Sequence, residues 1–291
     1  MTTRRNFITQ AGVLSAAALL APQFLQAAKP TKKIGIQLYS MRELLPKDVK
    51  NVIKRIGQIG YREVETYGFS KETGYWGLTP KQFKSLLTSH GLSTPSGHYG
   101  LDSIFSDNNY EDLKTFTVVA QTLGQKYITV PYLNEKVRKS PDDFKQIAER
   151  LNKAAEIVKS SGLKLAYHNH DFEYLNIGGT TLFNTILQET DPKLVDLELD
   201  LYWVVRAGED PISYLNKYPG RITMVHVKDM DIKDIKLNTE VGNGSISYPR
   251  IIEKCKKMGV KHFIMEQENF AIDPYASITK SYRYMKDVLH V

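Results

Sequence analysis

The sequence predicts a single-domain α/β fold, a (β/α)8 barrel of the TIM type, on three observations. Short apolar runs alternate with stretches of helical period along the chain from Ile34 onward. Glycine ends the helical stretch just before a strand in "QIGYREVE", "SHGLSTP", "TLGQKYI", "SSGLKLAY" and "KMGVKHFIM", as at a left-handed helix C-cap. Eight such strand–helix units fit the 263 residues left after an N-terminal address is set aside. A doubly wound sheet is the competing architecture. No glycine-rich phosphate turn follows Tyr39, which counts against it.

The address is residues 1–28, and the barrel is expected over 29–291. Arg4 and Arg5 form a twin-arginine pair followed by Phe7 and Ile8, then a run of small and apolar residues from Ala11 to Leu20, then Ala27 and Ala28. The apolar run is too short to span a bilayer, so the segment reads as a cleaved export signal and the mature protein as periplasmic, delivered by the twin-arginine route. No cysteine is available there for a lipid anchor, so no stable membrane anchor is expected after cleavage. Cys255 is the only cysteine, which excludes an intrachain disulfide and leaves the core to hold the fold.

The net charge is +7, and +5 without the signal. Its basic residues are scattered, and "KKIGIQ", "KVRKS" and "KCKKMG" read as solvated edges, so no nucleic-acid partner is expected. Association into a homo-oligomer is compatible with the sequence.

In chain order the expected strands are Ile34–Tyr39, Arg62–Thr66, Leu92–His98, Tyr127–Val130, Leu163–His168, Leu194–Asp200, Ile222–Val227 and His262–Glu266. Helical stretches between them include Lys47–Ile59, Pro80–His90, Tyr110–Leu123, Asp142–Ser160, Tyr248–Met258 and Pro274–Leu289. Alternate residues of a barrel strand point to the axis, and active sites form at the C-terminal strand ends.

That parity sorts the polar residues. In "VDLELDLYW", Val195, Leu197 and Leu199 face the helices, so Asp196, Glu198 and Asp200 face the axis. His226 of "ITMVHVKDM", Glu266 and Glu268 of "HFIMEQEN", and Glu63 and Glu65 of "REVETYG" face inward by the same rule. Gln37 and His98 join them, and "AYHNHDFEY" adds His168, His170 and Glu173.

Buried carboxylates repel unless a cation sits among them, and an unpaired buried charge costs several kcal/mol. Asp200, His226 and Glu266 therefore read as ligands of one divalent metal. Mixed oxygen and imidazole ligation suits Mn, Mg, Co or Zn. Asp196 and Glu198 read as ion pairs lower in the barrel.

At these residues the chain resembles the xylose-isomerase-like barrels known as sugar phosphate isomerases/epimerases, with tagatose epimerase, hydroxypyruvate isomerase and inosose dehydratase among the relatives. The resemblance spans the mature chain. It implies one divalent metal held by an aspartate ending the sixth strand, a histidine ending the seventh, a glutamate ending the eighth and a carboxylate near the fifth. "LELDLYW", "MVHVKD" and "IMEQE" supply Asp200, His226 and Glu266. The fifth strand departs from the pattern, having Tyr167–His168 where the epimerases carry glutamate. Glu173 is the expected replacement ligand, with His168 or His170 as the alternatives.

The resemblance implies a metal-dependent isomerase or epimerase of a sugar or keto-sugar. It would remove a proton beside a carbonyl and pass through an enediolate. His168, His170, Glu173 and Glu266 are the candidate acid–base residues. Imidazole titrates near neutrality, which also favours a lyase or dehydratase acting on a 3-keto-sugar, keto-glycoside or inosose. A non-catalytic sugar-binding protein is the third reading. Gln37, Glu65, His98, Trp203 and Lys228 are the expected substrate contacts, Lys228 alternatively pairing with Asp229. Tyr99 and Phe172 offer faces for a sugar ring, and Trp76 a loop over the mouth.

Overall fold

Eight short parallel strands ring one axis in residues 33–291, which the computed structural model describes. The export segment expected over residues 1–28 lies outside the described residues. The strands are β1 (Ile34–Gln37), β2 (Glu63–Glu65), β3 (Ser96–His98), β4 (Tyr127–Val130), β5 (Lys164–His168), β6 (Val195–Asp200), β7 (Ile222–Val227) and β8 (His262–Met265). They pair in the order β2-β1-β8-β7-β6-β5-β4-β3. Bridges Glu63 to Ser93 and Thr66 to Gly97 join β2 to β3 and close the ring. The glycine-punctuated rhythm of the sequence is thus the barrel rhythm. Gly124, for example, ends its helix at φ 82°, where a side chain would be strained.

Ten α-helices surround the ring among the described residues: α1 (Leu45–Ile59), α2 (Pro80–Ser89), α3 (Asp102–Asp107), α4 (Glu111–Leu123), α5 (Pro141–Lys159), α6 (Leu182–Glu189), α7 (Leu201–Arg206), α8 (Pro211–Lys217), α9 (Tyr248–Lys257) and α10 (Pro274–Asp287). Capping boxes built on Thr79 and Ser140 start α2 and α5. The apolar face of each strand packs on this layer: Ile36, Val64, Leu197, Leu199, Val225, Phe263 and Met265 are at most 1% exposed. Each such side chain contributes roughly 1.5–3 kcal/mol by burial.

Two differences from the expected strands bear on the mouth. The third strand starts only at Ser96, because Pro95 has no N–H to give the ladder. The first stops at Gln37, whose side-chain oxygen accepts from the Tyr39 N–H at 3.0 Å and starts a 3-10 turn over Leu38–Met41. That turn swings Tyr39 out to the rim of the barrel, 38% exposed.

Down the axis, Tyr127, Ala166 and Met224 form a small apolar layer. Towards the C-terminal strand ends the axis becomes polar. This gradient leaves the lower barrel to stability and the upper end to chemistry.

Candidate active site

Three imidazoles and a ring of carboxylates meet where the strands end. His98, His168 and His226 close β3, β5 and β7, and their rings lie 4.7–5.4 Å apart. Glu198 sits among them. Its Oε2 is 2.8 Å from His98 Nε2, 3.1 Å from His168 Nδ1 and 3.3 Å from His226 Nε2. The sequence placed Glu198 lower in the barrel with Asp196, and the structure corrects this. Asp196 does pair with Lys164, at 3.0 Å from each oxygen. Between Leu197 and Glu198 the register with β7 shifts and skips Thr223. Such irregularities re-aim side chains beside active sites, and alternation alone could not show this one.

Both nitrogens of His226 lie within hydrogen-bond distance of a carboxylate, whereas His168 is held on its Nδ1 side alone. His226 Nδ1 lies 2.9 Å from Glu266 Oε2 and 3.9 Å from Asp200 Oδ2, while Nε2 lies 2.7 Å from Glu65 Oε2. His168 Nε2 lies 3.9 Å from Asp200 Oδ2, while Nδ1 faces Glu198. Asp200 is itself divided. Its Oδ1 caps α7, accepting from the Tyr202 and Trp203 N–H groups, and its fully buried Oδ2 has no hydrogen-bond partner.

The donor atoms of Asp200, His226 and Glu266 fall within 4.8 Å of one another, as do those of His98, His168, Glu198 and His226. Either set could hold a metal ion. A buried carboxylate oxygen that accepts no hydrogen bond, with the Lys228 ammonium 3.5 Å away, beside imidazoles held from behind by carboxylates is an environment that metal-ligating histidines keep.

Lys228 closes the floor, with its Nζ 2.7 Å from Glu268, 3.0 Å from Glu266 and 3.5 Å from Asp200. The pairing with Asp229 considered from the sequence does not form. The Asp229 carboxylate instead accepts backbone N–H groups from Met230, Gly242, Gly244 and Ile246, tying down the loop after β7.

The charges sort themselves by neighbour. Burial disfavours charge on His98, but Glu65 and Glu198 outweigh it and push its pKa up to about 10. Burial and Lys228 push His170 down to about 3, keeping that ring neutral. Burial, with the neighbouring imidazoles, likewise keeps His168 neutral. Burial lifts Asp200 to about 6 against the pull of Lys228 and His226. Burial would also lift Glu266, but Lys228 and His226 overcome it and hold it well below the usual carboxylate range.

Above the floor opens a cavity of about 400 Å³, lined by His98, His168, His170, Lys228, Glu266 and Glu268 below and by Tyr39, Tyr67 and Tyr132 at its rim. Three expected substrate contacts are placed elsewhere. Gln37 and Glu65 are fully buried and lie outside the cavity lining. Gln37 Nε2 donates to Glu65 at 2.7 Å, and Glu65 also accepts from Ser96 and faces His226 and His98. Glu65 thus orients the rings. Trp203 packs 5.2 Å from the His170 ring with its Nε1 buried and unpartnered. Tyr99 belongs to the core, where its hydroxyl donates to Gln125 at 2.6 Å. Phe172 stacks on His170, and Trp76 packs behind Tyr67.

Glu173 is the clearest correction. It does not reach the cluster. Its two oxygens accept from the Tyr167 hydroxyl at 2.7 Å and the His170 N–H at 2.8 Å. Tyr167 points outward from β5, so Glu173 is held on the helix side of the strand. It fixes the loop that carries His170, and His168 takes the place at the fifth strand end.

Eight parallel strands converging on one carboxylate–imidazole centre define a (β/α)8-barrel enzyme. A family model of xylose isomerase-like TIM barrels matches residues 53–288, and the chain belongs to that family. It is 26% identical to an inosose dehydratase of Geobacillus kaustophilus, over 82% of this chain and 87% of that protein. With an inosose dehydratase of Clostridium beijerinckii it shares 27% identity over 56% of this chain and 60% of that one. Among solved structures it is similar to a sugar phosphate isomerase/epimerase of Parabacteroides distasonis. There the identity is 27% and the TM-score 0.80, covering 93% of this chain and 99% of that one.

Proposed function

We propose that this protein is a metal-dependent enzyme that removes the proton beside the carbonyl of a cyclic keto-sugar or keto-polyol and expels the β-oxygen, a dehydratase or lyase. The observation that carries the reading is a cavity floor that sets His170, a member of neither metal-capable group, beside His98 and the Asp200, His226 and Glu266 cluster. His170 lines the cavity and burial keeps its ring neutral, so it has a lone pair to offer, while Glu65 and Glu198 press His98 towards its charged form.

In this reading His170 accepts the proton from the carbon next to the carbonyl, and the C–H electron pair passes into an enediolate. The enediolate then collapses: its carbonyl re-forms, its π electron pair makes the bond between the α and β carbons double, and the β C–O bond breaks towards oxygen. His98 supplies the proton with which that oxygen leaves, as water or as an alcohol. Asp200, His226 and Glu266 fit one divalent ion, Mn, Mg, Co or Zn, and His168 Nε2 stands beside them, 3.9 Å from Asp200 Oδ2. That ion would polarise the carbonyl and its neighbouring hydroxyl. Glu65 and Glu198 keep the outer nitrogens of His226 and His168 occupied and so fix their tautomers.

Isomerisation or epimerisation, the reading the sequence put first, shares the proton-removal step. It also needs a group to return the proton. Glu266, held strongly ionised by Lys228 and His226, is a poor donor for that purpose. The inosose dehydratase relatives further support elimination. The twin-arginine pair Arg4–Arg5 supports export, which would place the reaction in the periplasm.

The test separates the two histidines. His168→Ala should lose metal affinity. His170→Ala should keep its metal and lose ~10²–10⁴-fold in rate, as expected for a missing general base. If His170→Ala loses metal too, or keeps near-normal turnover, the assignment fails.

A further inference from the structure

The polar floor accounts for only part of the cavity. Beyond the strand ends stand two aromatic walls that the proposed reaction does not use. One is Tyr39 against Tyr67, with ring centroids 5.1 Å apart at 85°. The other is Tyr132, edge-on to both His170 (5.5 Å) and Phe172 (5.4 Å). Tyr39 and Tyr67 follow β1 and β2, whereas Tyr132 follows β4 and His170 follows β5. By the strand order β1 and β5 stand opposite one another, so the walls flank the mouth from opposite sides.

Both walls are buttressed from behind. The Arg42 guanidinium lies 4.7 Å from the Tyr39 ring and donates to the Glu268 carbonyl at 2.8 Å. Arg138 lies 3.6 Å from the Phe172 ring. Yet Tyr39 and Tyr132 remain 38% and 47% exposed. Tyrosine faces held in place but left uncovered form a rigid amphipathic contact surface with little rotamer entropy to lose.

A small polyol on the floor is met by three imidazoles, an ammonium and two carboxylates. The walls offer flat apolar faces, which suit a second ring. We propose that the slot between Tyr39 and Tyr132 is a second-ring subsite, so that the substrate is a glycoside of a keto-sugar rather than the free sugar. The proposal rests on the keto-sugar reading above only for the chemistry of the first ring.

The test is binding, so it stands whether or not turnover is found. Isothermal titration of the purified protein with methyl β-D-glucopyranoside, phenyl β-D-glucopyranoside and methyl β-cellobioside gives ratios of dissociation constants. These ratios cancel any general loss of binding. The two-ring ligands should bind about tenfold more tightly than the one-ring ligand, which is roughly what one good aromatic contact supplies. The phenyl and cellobioside arms distinguish an aryl from a sugar second ring. Tyr39→Ala or Tyr132→Ala should bring the ratio close to one, and Tyr39→Phe or Tyr132→Phe should restore it. A ratio near one in the unaltered protein, or a ratio that survives both alanine substitutions, overturns the subsite. Failure of the keto-sugar reading would appear elsewhere, as absence of elimination from any ketone.

Discussion

Replacing Glu198 by glutamine removes one charge from the middle of three imidazoles. Glu198 is fully buried, and its Oε2 is within hydrogen-bond distance of His98 and His168. A hydrogen bond to a charged group contributes about 1.5–3 kcal/mol, so two of them represent roughly 3–6 kcal/mol. The amide oxygen of the introduced glutamine retains one as a neutral acceptor. His98 keeps its second carboxylate, Glu65, at 3.1 Å. The net expectation is a destabilisation of ~2–4 kcal/mol, or about 4–7 °C in melting temperature at this chain length. Metal affinity should fall with it by 10–100-fold, because the outer nitrogen of His168 loses the partner that fixes its tautomer. Thermal denaturation and metal titration calorimetry on Glu198→Gln measure both. A variant within ~0.5 kcal/mol of the parent and with unchanged metal affinity would show that Glu198 does not organise these rings.

Asp200→Asn should abolish metal binding while the barrel melts near the parent temperature. The amide oxygen can still cap α7, whereas the Oδ2 position no longer carries charge; one retained metal ion per chain by elemental analysis would refute the ligand assignment. Burial raises Glu173 to about 8, so the folded state binds the extra proton and stability should fall as pH rises from about 4.5 to about 8. Glu173→Gln should flatten that slope, and an unchanged slope in denaturant titrations would remove Glu173 as its cause. Replacing Arg4 and Arg5 by lysine should leave uncleaved precursor in the cytoplasmic fraction, and processed protein in the periplasm of that mutant would point to another export route.

The barrel was legible because its signals are local and repeated. Each strand carries its own two-residue alternation, and each helix end its own glycine. The inward parity of Asp200, His226 and Glu266 followed from neighbours one residue away. What escaped the sequence depends on the third dimension. Glu198 had the right parity, but its height in the barrel was set by a register shift against a strand more than twenty residues later. Glu173 had the right chemistry, but a loop turned it behind its own strand onto Tyr167. Glu65 was visible as an inward carboxylate. Its task, holding His226 and His98 from below, appeared only when strands 2, 3 and 7 were brought together.

The most direct test of the central claim follows the fate of one proton. The zinc- or magnesium-loaded protein is incubated in D₂O with an inosose and with 3-keto-glucose and its phenyl glycoside, and products are followed by NMR. The account predicts loss of the β-oxygen to give an unsaturated ketone, abolished in His170→Ala and in metal-stripped protein. Deuterium entering the carbon beside the carbonyl with no elimination from any of these ketones, or saturable binding with neither exchange nor elimination, would contradict it.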